Sequence, residues 1–224
     1  MSVFFLRKRW LKIAIYLCSF VITAFSLSYA LVLREVEASG TERIFYFLVS
    51  ENPHLQVSTI EIQLENGAGY LLKDGNKEYT ALSVYLRSSE SEKALQSANK
   101  RFSDLKIIPV ESGKLYFSSR LEKKQAPQIL GGLNTLFWCM QVIDYEIKRL
   151  EEGATQQSVK RVLQEIEDTI VFLGQDNEFF SSVCKSTATA LNKSVSDIVY
   201  LKDLRYLLCE LCSAYKNISE EFSL

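Results

Sequence analysis

Three patterns of apolar and polar positions follow one another along the chain. Residues 13–33, IAIYLCSFVITAFSLSYALVL, carry no charge and are mostly apolar. At about 1.5 Å rise per residue, a helix of that length spans roughly the 30 Å hydrocarbon core of a bilayer. Residues 34–42 are a short polar linker. From 43 the pattern becomes that of strands: RIFYFLV (43–49) is β-branched and aromatic, GAGYLL (67–72) is short and glycine-led, and KEYTALSVYL (77–86) alternates. Its alternation puts Tyr79, Ala81, Ser83 and Tyr85 on one face and Thr80, Leu82, Val84 and Leu86 on the other. KDGN (73–76) predicts a hairpin turn, since Asp-Gly tolerates the positive φ of such turns. Ser89 and Glu92 match a capping box opening a helix to about Phe102, with Ala94, Leu95, Ala98 and Phe102 inward. LKIIPV (105–110) is a last strand, and Pro109 suits an edge. Residues 54–65, with Leu55, Ile60 and Ile62 at mixed spacing, give a weak helical pattern.

The third pattern is helical. Ile129, Leu133, Leu136, Phe137, Met140, Ile143, Ile147 and Leu150 form one stripe. After Gly153 come Val159, Val162, Leu163, Ile166, Ile170 and Leu173. A third, shorter helix after Gly174 holds Phe179, Phe180, Val183, Cys184 and Leu191. A fourth, which Ser194 and Asp197 can cap, holds Leu201, Leu204, Leu208, Leu211 and Tyr215. The predicted fold class is α+β: strand, helix, hairpin, helix, strand over 43–118, the split βαβ order of a ferredoxin-like sandwich, then an all-α bundle over 126–224.

Charge changes this picture mainly at the N-terminus. Arg7, Lys8, Arg9 and Lys12 precede the first acid, Glu35. The basic segment 1–12 is therefore expected in the cytoplasm, 13–33 as a single-pass membrane anchor, and everything beyond on the other side. A cleaved signal peptide is the rival reading, with Ser26, Ser28 and Ala30 small, but its apolar core would be about 7–15 residues and this run continues through Leu33. Overall, 26 basic and 27 acidic side chains nearly cancel. No global field points to nucleic acid.

Candidate chemistry is sparse. The single histidine, His54, has no local triad partners. No phosphate-cradling glycine loop and no zinc-protease helix is present. Cys209 and Cys212, with Cys139 and Cys184, offer three readings: small buried residues of the bundle, a disulfide, or a four-thiolate metal site that lacks its usual second close pair. The first is preferred. The acid pairs Glu151–Glu152 and Glu220–Glu221 sit at helix ends. No cofactor, metal or catalytic residue is expected.

The pieces FYFLV, GAGYLL and EYTALSVYLRSSESEKALQSANKRF, behind one N-terminal anchor, resemble the sporulation-related repeat (SPOR) domain, in its divergent form from membrane proteins of spore-forming Gram-positive bacteria. The resemblance covers about residues 43–110. It implies a non-catalytic envelope protein whose open sheet face binds peptidoglycan glycan strands, in sporulation or cell division. Tyr70, Tyr79 and Tyr85 are the glycan-binding candidates, because outward tyrosine rings can stack on sugars; Tyr46 belongs to the same aromatic set. The chain departs from the family pattern where SVYLRSSESE replaces the usual glycine at the third strand's end, and where SENPH follows the first strand. The alternative is a scaffold whose SPOR-like unit and bundle bind other envelope or septal proteins without glycan.

Overall fold

The computed structural model describes residues 36–38, 42–50, 67–98, 104–117, 120–176 and 178–223. The uncharged run 13–33, the weak helical segment 54–65, His54 and Phe102 lie outside them. Among the described residues no helix is long and apolar enough to cross a membrane. The elements are β1 (Val36–Ala38), β2 (Ile44–Ser50), β3 (Tyr70–Asp74), β4 (Lys77–Tyr85), α1 (Ser88–Ala98), β5 (Leu105–Glu111), β6 (Leu115–Phe117), α2 (Arg120–Glu151), α3 (Gln156–Asp176), α4 (Glu178–Ser196) and α5 (Leu201–Glu221). The chain is thus α+β.

The main sheet has the order β3-β4-β2-β5, antiparallel throughout. That order is the one in which a strand–helix–hairpin–helix–strand chain interleaves its two halves. β5 lies at an edge, where Pro109 removes no ladder bond that a further strand would need. The hairpin turn is Gly75-Asn76, one residue beyond Asp-Gly: Asp74 still pairs with Lys77, and Gly75 takes φ +57° at the first central position. β1 was not predicted. Three residues of the polar linker pair with β6 as a separate two-stranded ribbon.

α1 begins at Ser88, one residue before the predicted cap. The Arg87 carbonyl already accepts from the amides of Glu90 (3.2 Å) and Ser91 (3.3 Å). Ser88 Oγ donates to Glu92 Oε1 at 3.1 Å, so the reciprocal Ser89–Glu92 box does not form. Ala94, Leu95 and Ala98 pack with Leu48, Leu82 and Leu105 on one face of the sheet.

The opposite face meets the helices. α5 crosses β4 and β3 and packs on α2, while α3 and α4 pack most closely on each other behind them. Phe45, Phe47, Val49, Ala81 and Val84 join the bundle's apolar stripes in one contiguous core. Tyr215 sits at the centre, its ring edge-on to Phe45 (5.6 Å) and Phe137 (6.4 Å). Every residue of the four predicted stripes lies in this core or against it.

The predicted boundaries fare less well. α2 starts before Ala126 and carries Pro127 inside it; a proline reads as a helix start because the first turn needs no donated amide there. Gly174 is a packing position inside α3 and breaks nothing: a Cβ there would lie 2.7 Å from that of Cys184. Ser194 is not a cap. It is buried within α4, donating to the Ala190 carbonyl, and Tyr200 is the N-cap of α5 without any side-chain bond. The loop before α5 is held instead by Gln156, whose Oε1 accepts from Val199 N (2.9 Å) and whose Nε2 donates to Val199 O (3.0 Å).

Candidate functional site

The candidate tyrosines do not share a surface. β4 pairs with β2 in continuous register from Tyr85↔Tyr46 to Ser83↔Leu48, and then Ala81, not Leu82, faces Val49. Leu82 is therefore an extra residue, and a bulge of this kind reverses the alternation beyond it. The simple two-residue period that placed Tyr79 and Tyr85 together fails at this point. Tyr79 and Tyr70, opposite Leu72 and Ala81 respectively, face the bundle; Tyr85 and Tyr46, directly opposed, face the α1 side.

On the bundle side the rings are covered. Tyr79 is only 6% exposed, and Lys106 Nζ lies over its ring at 4.6 Å. Tyr70 meets Tyr206 of α5 edge-on at 5.4 Å. Burial pushes its hydroxyl above the usual range, partly offset by Ser213 beside it. No sugar could lie across this face without displacing α5.

Tyr85 lines a cavity of about 240 Å³ bounded by Ser83, Val84, Ala94, Asp144, Ile147, Lys148, Glu151 and Arg205. It is formed where the end of β4, α1, the C-terminal part of α2 and the first turn of α5 converge. Lys148 Nζ donates to Glu90 Oε2 of α1 (2.8 Å) and to Asp144 Oδ2 (2.7 Å). Arg205 pairs with Glu151 across to α5. Burial raises the Asp144 pKa, with Lys148 opposing, and raises that of Tyr85 in the same way, with Ser83 opposing. A carboxyl of raised pKa in a polar cavity is one mark of a proton-transfer group, but structural ion-pair networks perturb acids equally. Here the charges are matched once Arg87, 3.9 Å from Glu90, is counted: Lys148 and Arg87 face Glu90 and Asp144, and Glu151 pairs with Arg205. The arrangement ties α1 and α5 to α2, and offers no unpaired nucleophile or base.

Of the charged and aromatic residues here the sequence singled out only Tyr85, and Glu151 as half of an acid pair. The signal for the others was Asp144 and Lys148 at i,i+4, flanking Ile143 and Ile147 on the border of the apolar stripe. Their partner Glu90 is remote in sequence. A second network lies nearby: buried Glu146 accepts from Arg149 Nη1 at 2.9 and 2.8 Å, and Arg149 Nη2 reaches Ser158 Oγ at 3.1 Å, bracing the turn at Gly153.

Cys139, Cys184, Cys209 and Cys212 are free and buried. Cys212 Sγ contacts Met140 Sδ at 3.5 Å. Burial raises all four thiols, Cys139 to about 12 and Cys184 to about 11. Raised thiols are poor nucleophiles and poor metal ligands. Among the described residues no three His, Cys, Asp or Glu side chains are placed to hold a metal ion.

Comparison with known proteins returns no match to any family model, curated protein or solved structure.

Proposed function

We propose that this chain is a membrane-anchored, non-catalytic scaffold of the bacterial envelope, in which a SPOR-like unit and a helical bundle together bind other envelope or septal proteins. In this reading residues 13–33 span the membrane and the bulk of the chain lies on the extracytoplasmic side. The strand order supports the likeness of residues 43–118 to a ferredoxin-like, SPOR-like unit. The observation that carries the choice of scaffold over glycan binder is α5 lying across β4 and β3 on the sheet face opposite α1, with Tyr70 against its Tyr206 and Tyr79 buried on the same face. A face closed by the chain's own helices is spent as core, and the candidate partner surface moves to the outside of the bundle. There α2 exposes Trp138 and Tyr145, seven residues apart on one helix face, and α3 exposes Val171 and Phe172.

The test uses the full chain in detergent, mixed with sacculi stripped of their peptides. The chain is expected to stay in the supernatant, while a photo-crosslinker at position 172 or 145 in cells captures other envelope proteins. Sedimentation with glycan that Tyr70→Ala with Tyr85→Ala abolishes, in a variant that still folds, would refute the scaffold reading. The fragment 41–118 is unsuited to this experiment, because cutting at 118 strips the cover from Phe45, Phe47 and Val49.

A further inference from the structure

We infer that the end of the fold carrying the β1–β6 ribbon and the C-terminal residues lies against the bilayer, as a lipid-contacting surface that fixes how the protein stands on the membrane. This rests on the anchor reading above. The uncharged run ends at Leu33 and β1 starts at Val36. Three steps of fully extended chain reach at most about 11 Å. The polar layer on one side of a bilayer is itself about 5–8 Å thick. Val36 is therefore in that layer or just above it.

What Val36 is tied to comes with it. Its partner across the ribbon is Phe117. The ribbon is no flexible stalk. At its base Ser112 N donates to Arg43 O and Arg43 N donates to Ser112 Oγ, each at 2.9 Å. Tyr116 N donates to the Phe222 carbonyl at 2.7 Å, fastening the C-terminal residues alongside. The Phe222 ring packs on Phe117 (5.8 Å) and on Phe179 (5.6 Å), which draws the start of α4 into the same patch. Phe117 is fully buried, while Phe179 and Phe222 are half-buried. Partly exposed rings at this height would lie at the level of the headgroups.

Charge does not drive the contact. The exposed charges around the patch are mixed: Glu178, Glu220 and Glu221 are acidic and Lys114, just before β6, is basic, with Lys114 near Glu42 at 4.0 Å and Lys216 bound to Glu220 at 2.9 Å. With both signs present and partly paired, an anionic surface is neither strongly attracted nor strongly repelled here. The tether sets the placement, and the surface fits zwitterionic headgroups.

The experiment places one fluorophore on the full chain, in a Cys18→Ala background that keeps the four buried thiols. The reporter is Arg34→Cys, Ser223→Cys or, reading the same patch from α4, Glu178→Cys. The protein is reconstituted in phosphatidylcholine vesicles carrying a headgroup-attached spin label. Quenching at 223 and 178 is expected to be at least half that at 34, and unchanged when a third of the lipid is phosphatidylserine. Quenching at 34 with none at 223 or 178 would show the fold standing off the membrane and overturn the inference alone. Quenching at none of the three would overturn the anchor reading, and this inference with it.

Discussion

Tyr215→Ala is expected to lower stability by about 3–5 kcal/mol and to let the sheet and all four bundle helices unfold in one transition. Tyr215 is fully buried and touches both halves of the fold through Phe45 of β2 and Phe137 of α2. Removing its ring leaves a cavity that β2 and α2 cannot both close. Against a total stability of about 5–15 kcal/mol, this is a large fraction. The check is urea unfolding followed by circular dichroism, with amide exchange read in β2 and in α3. Coincident loss in both elements is the expected result. If α3 opened while β2 kept its protection, the sheet and bundle would be separate folding units.

The second large effect is alkaline unfolding driven by the buried thiols. In the unfolded chain each thiol ionises near 9.0; in the fold burial holds Cys184 to about 11, Cys139 to about 12, and Cys209 and Cys212 higher still. The sign follows directly. Between these values the unfolded chain releases protons that the folded chain keeps, so rising pH favours unfolding. The stability contribution is complete below about 9 and is lost as pH climbs through 11. Each thiol is worth about 1.4 kcal/mol per pH unit in that window, so four together come to about 5.5 kcal/mol per unit at most. The raised phenols of Tyr70, Tyr85 and Tyr215 act in the same direction above 10. The fold should therefore melt cooperatively soon after pH 10. Cys209→Ala with Cys212→Ala should cost little at neutral pH and roughly halve the slope, as measured by denaturant midpoints from pH 8 to 11. An unchanged slope would mean that these two thiols are not shielded.

The four apolar stripes of the bundle were legible because a 3.6-residue period repeated over five turns has few other readings. Their ends were not. Gly174 and Ser194 have the chemistry of helix breakers and caps, and only the partner helix explains them otherwise: Cys184 presses on Gly174, and Ser194 turns its hydroxyl back to its own helix. The four strands of the main sheet were legible from their β-branched and aromatic runs, but the short β1–β6 ribbon and the faces of β4 were not. The bulge falls at the adjacent apolar pair Ala81-Leu82, which a strict period of two reads straight through, and the one-residue slip there reverses Tyr85 relative to Tyr79. The cover over the sheet was equally hidden. The β4 residues facing the bundle (Tyr79, Ala81 and Val84) are apolar while those facing α1 mix Thr80 and Ser83 with Leu82, and that pattern reads as well for a sheet with one open face as for one enclosed on both. The polar junction at Asp144, Lys148, Glu90, Glu151 and Arg205 depends on contacts between residues up to 58 positions apart. Only the i,i+4 spacing within α2 was visible beforehand.

The covered sheet face is the centre of this account, and hydroxyl-radical footprinting of the full chain in membranes tests it most directly. Oxidation should be fast at Tyr145 and Phe172, which are 60% and 66% exposed, and near background at Tyr79 and Phe45. Phe45, which lies under Tyr215 of α5, reacting as readily as Tyr145 in the intact protein would mean that α5 does not close the face, and that the sheet is open to a ligand.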